Sequence, residues 1–219
     1  MSDSTKNLTE AGADYGFYFD QSLCTGCKAC QVACKDKHDL PVGITWRRVV
    51  EYTGGSWQTS GNTFTPNVFT YYTSVSCNHC ENPVCMEVCP TTAMSKREDG
   101  TVYVDESKCV GCRYCQWACP YGAPQLDTRT GHMSKCDLCY DYRETGQDPA
   151  CVSACPSRAI DWGPIAELRK AHGDTDGTTP GIAPLPDPSI TKPHLVIHPH
   201  RDAQKWDEGT GAIANPQEI

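Results

Sequence analysis

Apolar positions in this chain come in short bursts separated by polar turns. Tyr15-Gly16-Phe17-Tyr18-Phe19 is the first burst and Asp20 ends it, which predicts a short strand after a loose terminus over residues 1–14. Residues 45–53 and 67–76 are rich in Val, Tyr, Phe and Thr and predict two further strands. Gly54-Gly55 and Ser60-Gly61-Asn62 break the chain between them, so the pair reads as a β-hairpin. Met94–Lys96 and Thr101–Val104 are short strand candidates around the turn dipeptide Asp99-Gly100. Pro164–His172 reads as a helix, with proline in its first turn and Gly173 as its stop. Beyond it the chain looks extended to residue 219, with one strand candidate at His194–His198. Ile182, Leu185, Leu195 and Ile197 give this tail something to bury, and it is expected to become ordered by wrapping over a partner.

No run approaches the roughly 18 apolar residues that a membrane-spanning helix needs. Residues 1–10 are polar with a single lysine, so no secretory signal is expected. Any export would be carried by a partner's twin-arginine signal, and the side of the membrane is left open. The net charge of −8 argues against nucleic acid as a partner. Only 38% of the 219 residues are apolar, which would make a thin core. Sixteen cysteines change that picture, because metal-bound thiolates staple a chain from inside.

The cysteines fall into four motifs. The first is Cys24, Cys27, Cys30 and Cys34, and the third is Cys109, Cys112, Cys115 and Cys119; both have C-x2-C-x2-C-x3-C spacing. That run is the ligand pattern of bacterial-type ferredoxins, in which the fourth thiolate serves a second cluster. The second motif is Cys77, Cys80, Cys85 and Cys89, with a loop enlarged by two residues. The fourth is Cys136, Cys139, Cys151 and Cys155, with a large loop over residues 140–150. Four [4Fe–4S] clusters use all sixteen thiolates with none left over. Disulfides suit short secreted domains, and structural zinc favours isolated C-x2-C pairs. Four closed cubanes leave no open iron, so electron transfer is expected and catalysis is not.

The motifs repeat beyond cysteine. Residues 20–34 and 105–119 share Asp-x3-Cys-x-Gly-Cys-(Lys/Arg)-x-Cys-Gln-x-Ala-Cys, and residues 82–94 and 148–160 share (Asn/Asp)-Pro-x-Cys-x3-Cys-Pro-x2-Ala-(Met/Ile). The chain is therefore a duplicated two-motif unit. Gly26 and Gly111 let the backbone turn close to a sulfur. Pro90, Pro120 and Pro156 turn the chain away after a ligand, whereas Lys35 stands at that position in the first motif. The x3 spacing before each last cysteine suits a helical turn. His38, His79 and His132 read as surface or hydrogen-bonding residues, since no ligand position is vacant. Lys28 and Arg113 read as solvated charges, and Trp117 and Tyr121 as packing.

Segments outside the cysteines narrow the field. Arg47-Arg48, Gly54-Gly55-Ser56-Trp57, Ser76-Cys77-Asn78-His79-Cys80, Lys96-Arg97-Glu98-Asp99-Gly100, Ala118-Cys119-Pro120-Tyr121-Gly122-Ala123-Pro124-Gln125 and Gly163-Pro164-Ile165 are among them. Through these the chain, over roughly residues 15–219, closely resembles the iron–sulfur subunits (the B subunits) of the anaerobic dimethyl sulfoxide reductase family. A short extension around residues 174–181 departs from the family pattern. The resemblance implies an α+β fold of two bacterial-ferredoxin-like domains related by a pseudo-twofold, with a β-hairpin insertion and an extended C-terminal tail. The division it implies is 15–44 plus 121–163, then the insertion 45–76, the second domain 77–120, and the tail 164–219.

It also implies four ligand sets: Cys24, Cys27, Cys30 and Cys155; Cys34, Cys136, Cys139 and Cys151; Cys77, Cys80, Cys85 and Cys119; and Cys89, Cys109, Cys112 and Cys115. Spacing alone leaves pairing between neighbouring motifs open. Some relatives hold a three-iron cluster with tryptophan at the second position of the third motif; Cys112 stands there in this chain, so four cubanes are expected. The implied partners are a molybdopterin catalytic subunit and a membrane subunit that oxidises quinol. The same relay in a formate, polysulfide or aromatic-hydroxylating complex is the nearest rival. A zinc-organised scaffold and a stand-alone ferredoxin are the others.

Overall fold

The computed structural model describes residues 12–173 and 181–219. Most of the loose terminus and of the 174–181 extension lies outside the described residues. The first half contains β1 (Tyr15–Asp20), α1 (Ala29–Lys37), β2 (Arg48–Gly54), β3 (Trp57–Ser60), β4 (Thr63–Pro66), β5 (Phe69–Val75), α2 (Val84–Glu87), β6 (Met94–Lys96) and β7 (Val102–Val104). The second contains α3 (Tyr114–Ala118), β8 (Gln125–Asp127), β9 (His132–Ser134), α4 (Tyr140–Glu144), α5 (Ala150–Ser153), β10 (Ile160–Pro164), α6 (Ile165–His172), β11 (Leu195–His198) and β12 (Ala212–Ile213). Short helices and short strands alternate, an α+β architecture of ferredoxin type.

β1 is the middle of a sheet ordered β10-β1-β11, antiparallel to β10 and parallel to β11. Its apolar residues do not alternate with polar ones because both faces are covered. Tyr15, Phe17 and Phe19 join Trp162, Leu195 and Ile197 in the main core. Tyr18 faces the other way and packs with Val196 and with Ile165 and Leu168 of α6. That helix ends as the sequence predicts, on Gly173 in the left-handed region at φ 71°.

β2 and β5 pair antiparallel, with Tyr52 opposite Tyr71. The break expected at Ser60-Gly61-Asn62 is a turn, but the residues flanking it pair as well: β3 with β4. The insertion is therefore a hairpin that carries a second, exposed hairpin at its tip. Trp57 and Thr59 face Pro66 and Phe64 across it, and Trp57 and Phe64 stay exposed. β6–β7 and β8–β9 are two further hairpins, following the second and third motifs.

The tail is ordered on its own chain. β11 completes the first sheet and β12 pairs with β2. Tyr71 donates its hydroxyl hydrogen bond to the Ala183 carbonyl at 2.8 Å. Buried Asn215 acts as a backbone surrogate at the edge of β2: its Oδ1 accepts from the Glu51 amide at 2.8 Å and its Nδ2 donates to the Val49 carbonyl at 2.9 Å. Asn215→Ala leaves both backbone groups without their partner, and about 1–3 kcal/mol of stability should be lost. The midpoint of anaerobic urea unfolding measures this, and an unchanged midpoint would show that the tail is not anchored there.

Candidate metal centres

The C-x2-C-x2-C run is built on left-handed residues. Gly26 and Lys28 have φ of 69° and 61°; Gly111 and Arg113 have 65° and 67°. Each pair curls the backbone around one point before Lys28 and Arg113 cap α1 and α3. Gly111 has no room for a side chain, since a Cβ would lie 2.3 Å from the Gly131 carbonyl oxygen. The other two motifs repeat the turn without glycine. His79 and Leu138, each just before the second cysteine, have φ of 44° and 60°. Such backbone costs about 1–2 kcal/mol for a residue with a Cβ. Both are fully buried and held in place. His79 Nδ1 accepts from the Val102 amide at 3.0 Å, and the Leu138 amide donates to Cys136 Sγ at 3.4 Å. Burial also drives the His79 imidazole well below its ordinary pKa, so it is a neutral acceptor.

After the last cysteine, Thr92, Gly122 and Arg158 all have positive φ, three residues beyond Cys89, Cys119 and Cys155. These are the three motifs with proline. Where Lys35 replaces it, α1 runs on to Lys37.

None of the sixteen cysteines is in a disulfide. α1 packs on α5, and α2 on α3, so the first motif meets the fourth and the second meets the third. The thiols group accordingly. Burial raises Cys24 to about 11, with Cys30, Cys155 and Cys27 opposing its ionisation. Burial raises Cys34 to about 12, and Cys151 and Cys139 act on it in the same direction. Fully buried Cys136 is pushed well up by burial and has Cys34, Cys77 and Cys139 as neighbours. Cys77, Cys80, Cys85 and Cys119 line one enclosed, mainly apolar cavity. Burial raises Cys115 to about 11, helped by Cys109, Cys112 and Cys89. These neighbours lie both within the expected sets and across their borders. The sets also form a line: Cys30 of the first is close enough to feel Cys151 of the second, and Cys136 of the second feels Cys77 of the third. Cys85/Cys89 and Cys115/Cys119 join the third to the fourth along the chain.

The donor chemistry fits iron–sulfur clusters. Thiols this buried resist ionisation, and a cationic iron–sulfide core is the counter-charge that lets four ionise together. Backbone amides already point at sulfur: Met133 to Cys109 at 3.3 Å and Ala159 to Cys155 at 3.3 Å. Cys89 is held below its ordinary range; burial works against this, but the amides of Met94, Thr91 and Ala93 outweigh it.

Four placements were not legible in the motifs. His38 Nε2 lies 3.4 Å from Cys139 Sγ, with Asp137 beside it. His132 Nδ1 is 2.8 Å from the Cys109 carbonyl. Trp117, a packing residue on the sequence reading, is exposed and tilted against Tyr114 with ring centroids 5.8 Å apart. Lys28, expected in solvent, forms an ion pair with Glu218 of the tail.

A family model described as "4Fe-4S dicluster domain" matches residues 68–165. The chain is 54% identical over 205 residues to the B subunit of the anaerobic dimethyl sulfoxide reductase of Escherichia coli (strain K12), covering 94% of this chain and 98% of that one. It is 43% identical to the thiosulfate reductase electron transfer subunit of Salmonella typhi, over 70% of this chain and 77% of the relative. It is 36% identical to the B subunit of the polysulfide reductase of Wolinella succinogenes, over 85% and 95%. Among the described residues no helix is long and apolar enough to cross a membrane. On these likenesses the chain belongs to the family of anaerobic dimethyl sulfoxide reductase B subunits: iron–sulfur, electron-transfer subunits of reductase complexes, and not their catalytic subunits.

Proposed function

We propose that this chain holds four [4Fe–4S] clusters and relays electrons from a membrane quinol-oxidising subunit to a molybdopterin subunit that reduces dimethyl sulfoxide or a related S- or N-oxide. When bound, the clusters supply a row of one-electron carriers. The chain's own residues do the rest. The sixteen cysteines are the ligands, in the four sets named above. Backbone amides of Met133, Leu138 and Ala159 donate to sulfur, which favours the reduced state. The two ferredoxin-like domains and the insertion divide as the family pattern implies.

The observation that carries this reading is the contrast in exposure between the second set and the two ends of the line. Cys34, Cys136, Cys139 and Cys151 are all buried. Exposed Cys27 lies in the first set, and half-buried Cys89, Cys109 and Cys112 lie in the fourth. A relay needs sheltered middle stations and ends that partners can approach. The tail's role toward a partner belongs to the same proposal, supported by Ile190, Trp206 and Ile213 staying exposed while its inner side is ordered. Peripheral attachment to the membrane through the quinol-oxidising subunit follows from the same reading.

The similarity to a polysulfide reductase B subunit supports a second reading, the same relay in a complex acting on another sulfur compound. Purification of the complex without oxygen separates the readings. About sixteen irons with matching acid-labile sulfide per chain are expected, with quinol-linked reduction of dimethyl sulfoxide. Zinc without sulfide overturns the relay, and turnover of polysulfide in place of dimethyl sulfoxide selects the second reading.

A further inference from the structure

Two cations are buried among the thiol sets without a carboxylate. Arg47 is 2% exposed and Lys135 is 3% exposed. Among the described residues neither forms an ion pair. Arg143, also buried, shows the contrast: its Nη2 meets Asp99 Oδ2 at 2.8 Å.

Arg47 sits where the first and second sets adjoin. Its guanidinium lies over the Phe17 ring, 4.4 Å from the centroid. Nη1 donates to Ser74 Oγ at 3.2 Å and Nη2 to Ser76 Oγ at 3.0 Å. Ser74 Oγ is in turn 3.4 Å from Cys30 Sγ. The Arg47 charge acts on Cys30, Cys34, Cys136 and Cys151. The Nε has no partner.

Lys135 sits where the second and third sets adjoin. It precedes Cys136 in the chain and lines the same cavity as Cys77, Cys80, Cys85 and Cys119. Its Nζ donates to the carbonyls of Val102 and Cys136. Its charge acts on Cys85 and Cys119.

An unpaired buried cation is strongly unfavourable unless an anion answers it. Hydrogen bonds to serine and carbonyl oxygens do not neutralise charge. The thiolates of a bound cluster outweigh the charge of its core, so the cluster is an anion and becomes more negative on reduction. We propose that Arg47 and Lys135 are the fixed counter-charges of the inner relay, raising the reduction potentials of the clusters on either side of each and most of all that of the second set, which touches both. The sign follows from Coulomb attraction, which favours the more negative, reduced state. This inference rests on the reading of the thiol sets as cluster ligands. It adds which residues set the order of potentials, and both are positioning residues outside the ligand shell.

The test is a redox titration of the intact complex followed by electron paramagnetic resonance, with signals assigned through serine variants of the ligands. Arg47→Gln and Lys135→Gln keep hydrogen-bonding capacity and remove charge. Arg47→Gln is expected to favour oxidation of the first- and second-set clusters at least tenfold, a downward shift of about 59 mV or more for one electron. Lys135→Gln is expected to do the same for the second and third, and the fourth should hold still in both. Absence of any shift, or an equal shift in all four, overturns the proposal. Should the glutamine variants lose their clusters, Arg47→Lys and Lys135→Arg decide. Charge-keeping variants that retain clusters at wild-type potentials support the proposal, because the hydrogen-bond geometry is altered and the charge is not. Loss of clusters in these as well assigns a purely structural role. Wild-type complex without acid-labile sulfide would instead overturn the relay itself, which keeps the two failures apart.

Discussion

Cys119→Ser should abolish the same cluster signal as Cys80→Ser and spare the signal that Cys112→Ser removes. Cys119 follows Cys112 and Cys115 in one motif, so a reading by sequence proximity groups them. The fold separates them. Cys115 lies inside α3 and faces Cys89, Cys109 and Cys112. Cys119 is one step beyond the helix, where the backbone is extended at ψ 115° and delivers it to the cavity it shares with Cys77, Cys80 and Cys85. Burial raises its pKa, and the Ala123 amide works against that rise. Loss of one thiolate should lower iron by up to about four per chain. Quinol-linked turnover should fall at least a hundredfold, because a missing station interrupts the row at its sheltered middle. The folded state should weaken too, since metal binding is coupled to folding in sites of this kind. Iron content, low-temperature resonance spectra and turnover of the three variants check this. Coincidence of the Cys119→Ser and Cys112→Ser spectra would establish pairing between neighbouring motifs and sink the arrangement proposed above.

How much of this could be read from the chain depends on whether the cause was local. Tyr15–Phe19, Met94–Lys96 and the end of α6 at Gly173 were legible because an apolar burst, the turn dipeptide Asp99-Gly100 and a glycine stop, respectively, sit in or beside the segment itself. The turn before each second cysteine was half legible. Gly26 and Gly111 announce positive φ, but His79 and Leu138 adopt the same conformation with ordinary side chains. What holds them is distant: Val102 for His79, and for Leu138 the Arg143 Nε that its carbonyl accepts from at 3.0 Å. The β3–β4 tip was missed because its residues are polar or exposed on both strands and Ser60-Gly61-Asn62 read as a break. β8 and β9 are three residues each, too short for any periodicity. At the site, the sixteen thiols were legible from spacing alone. Arg47 and Lys135 were not, because nothing near either in the sequence shows that the fold will bury it between two thiol sets. The same holds for the tail, whose partners lie in β1, β2 and β5.

Ending the chain at Ile190 should unfold the first sheet and release the second motif in the absence of any partner. β11 supplies Leu195, Val196 and Ile197, each no more than 3% exposed. At about 1.5–3 kcal/mol for each fully buried aliphatic side chain, their loss removes on the order of 5–9 kcal/mol. A domain's whole stability is about 5–15 kcal/mol. The loss does not stop at the sheet. The Phe17 amide donates to the His194 carbonyl at 3.0 Å, and the His194 amide donates to the Asn78 carbonyl at 3.1 Å, between Cys77 and Cys80. The Glu81 and Asn82 amides donate to the Lys192 and Thr191 carbonyls at 2.9 and 3.0 Å. The strand thus ties β1, which leads into the first motif, to the loop that carries the second. Truncation should therefore deplete iron from the first and third sets before the fourth, whose ligands the tail does not hold by these bonds. Anaerobic reconstitution of the shortened chain by itself, beside the full-length chain by itself, with iron and sulfide counts and thermal unfolding, gives the readout. Wild-type iron and an unchanged melting temperature would mean that residues 191–219 serve only a partner. Depletion would mean that the tail first completes its own chain, and that any partner meets a surface already folded.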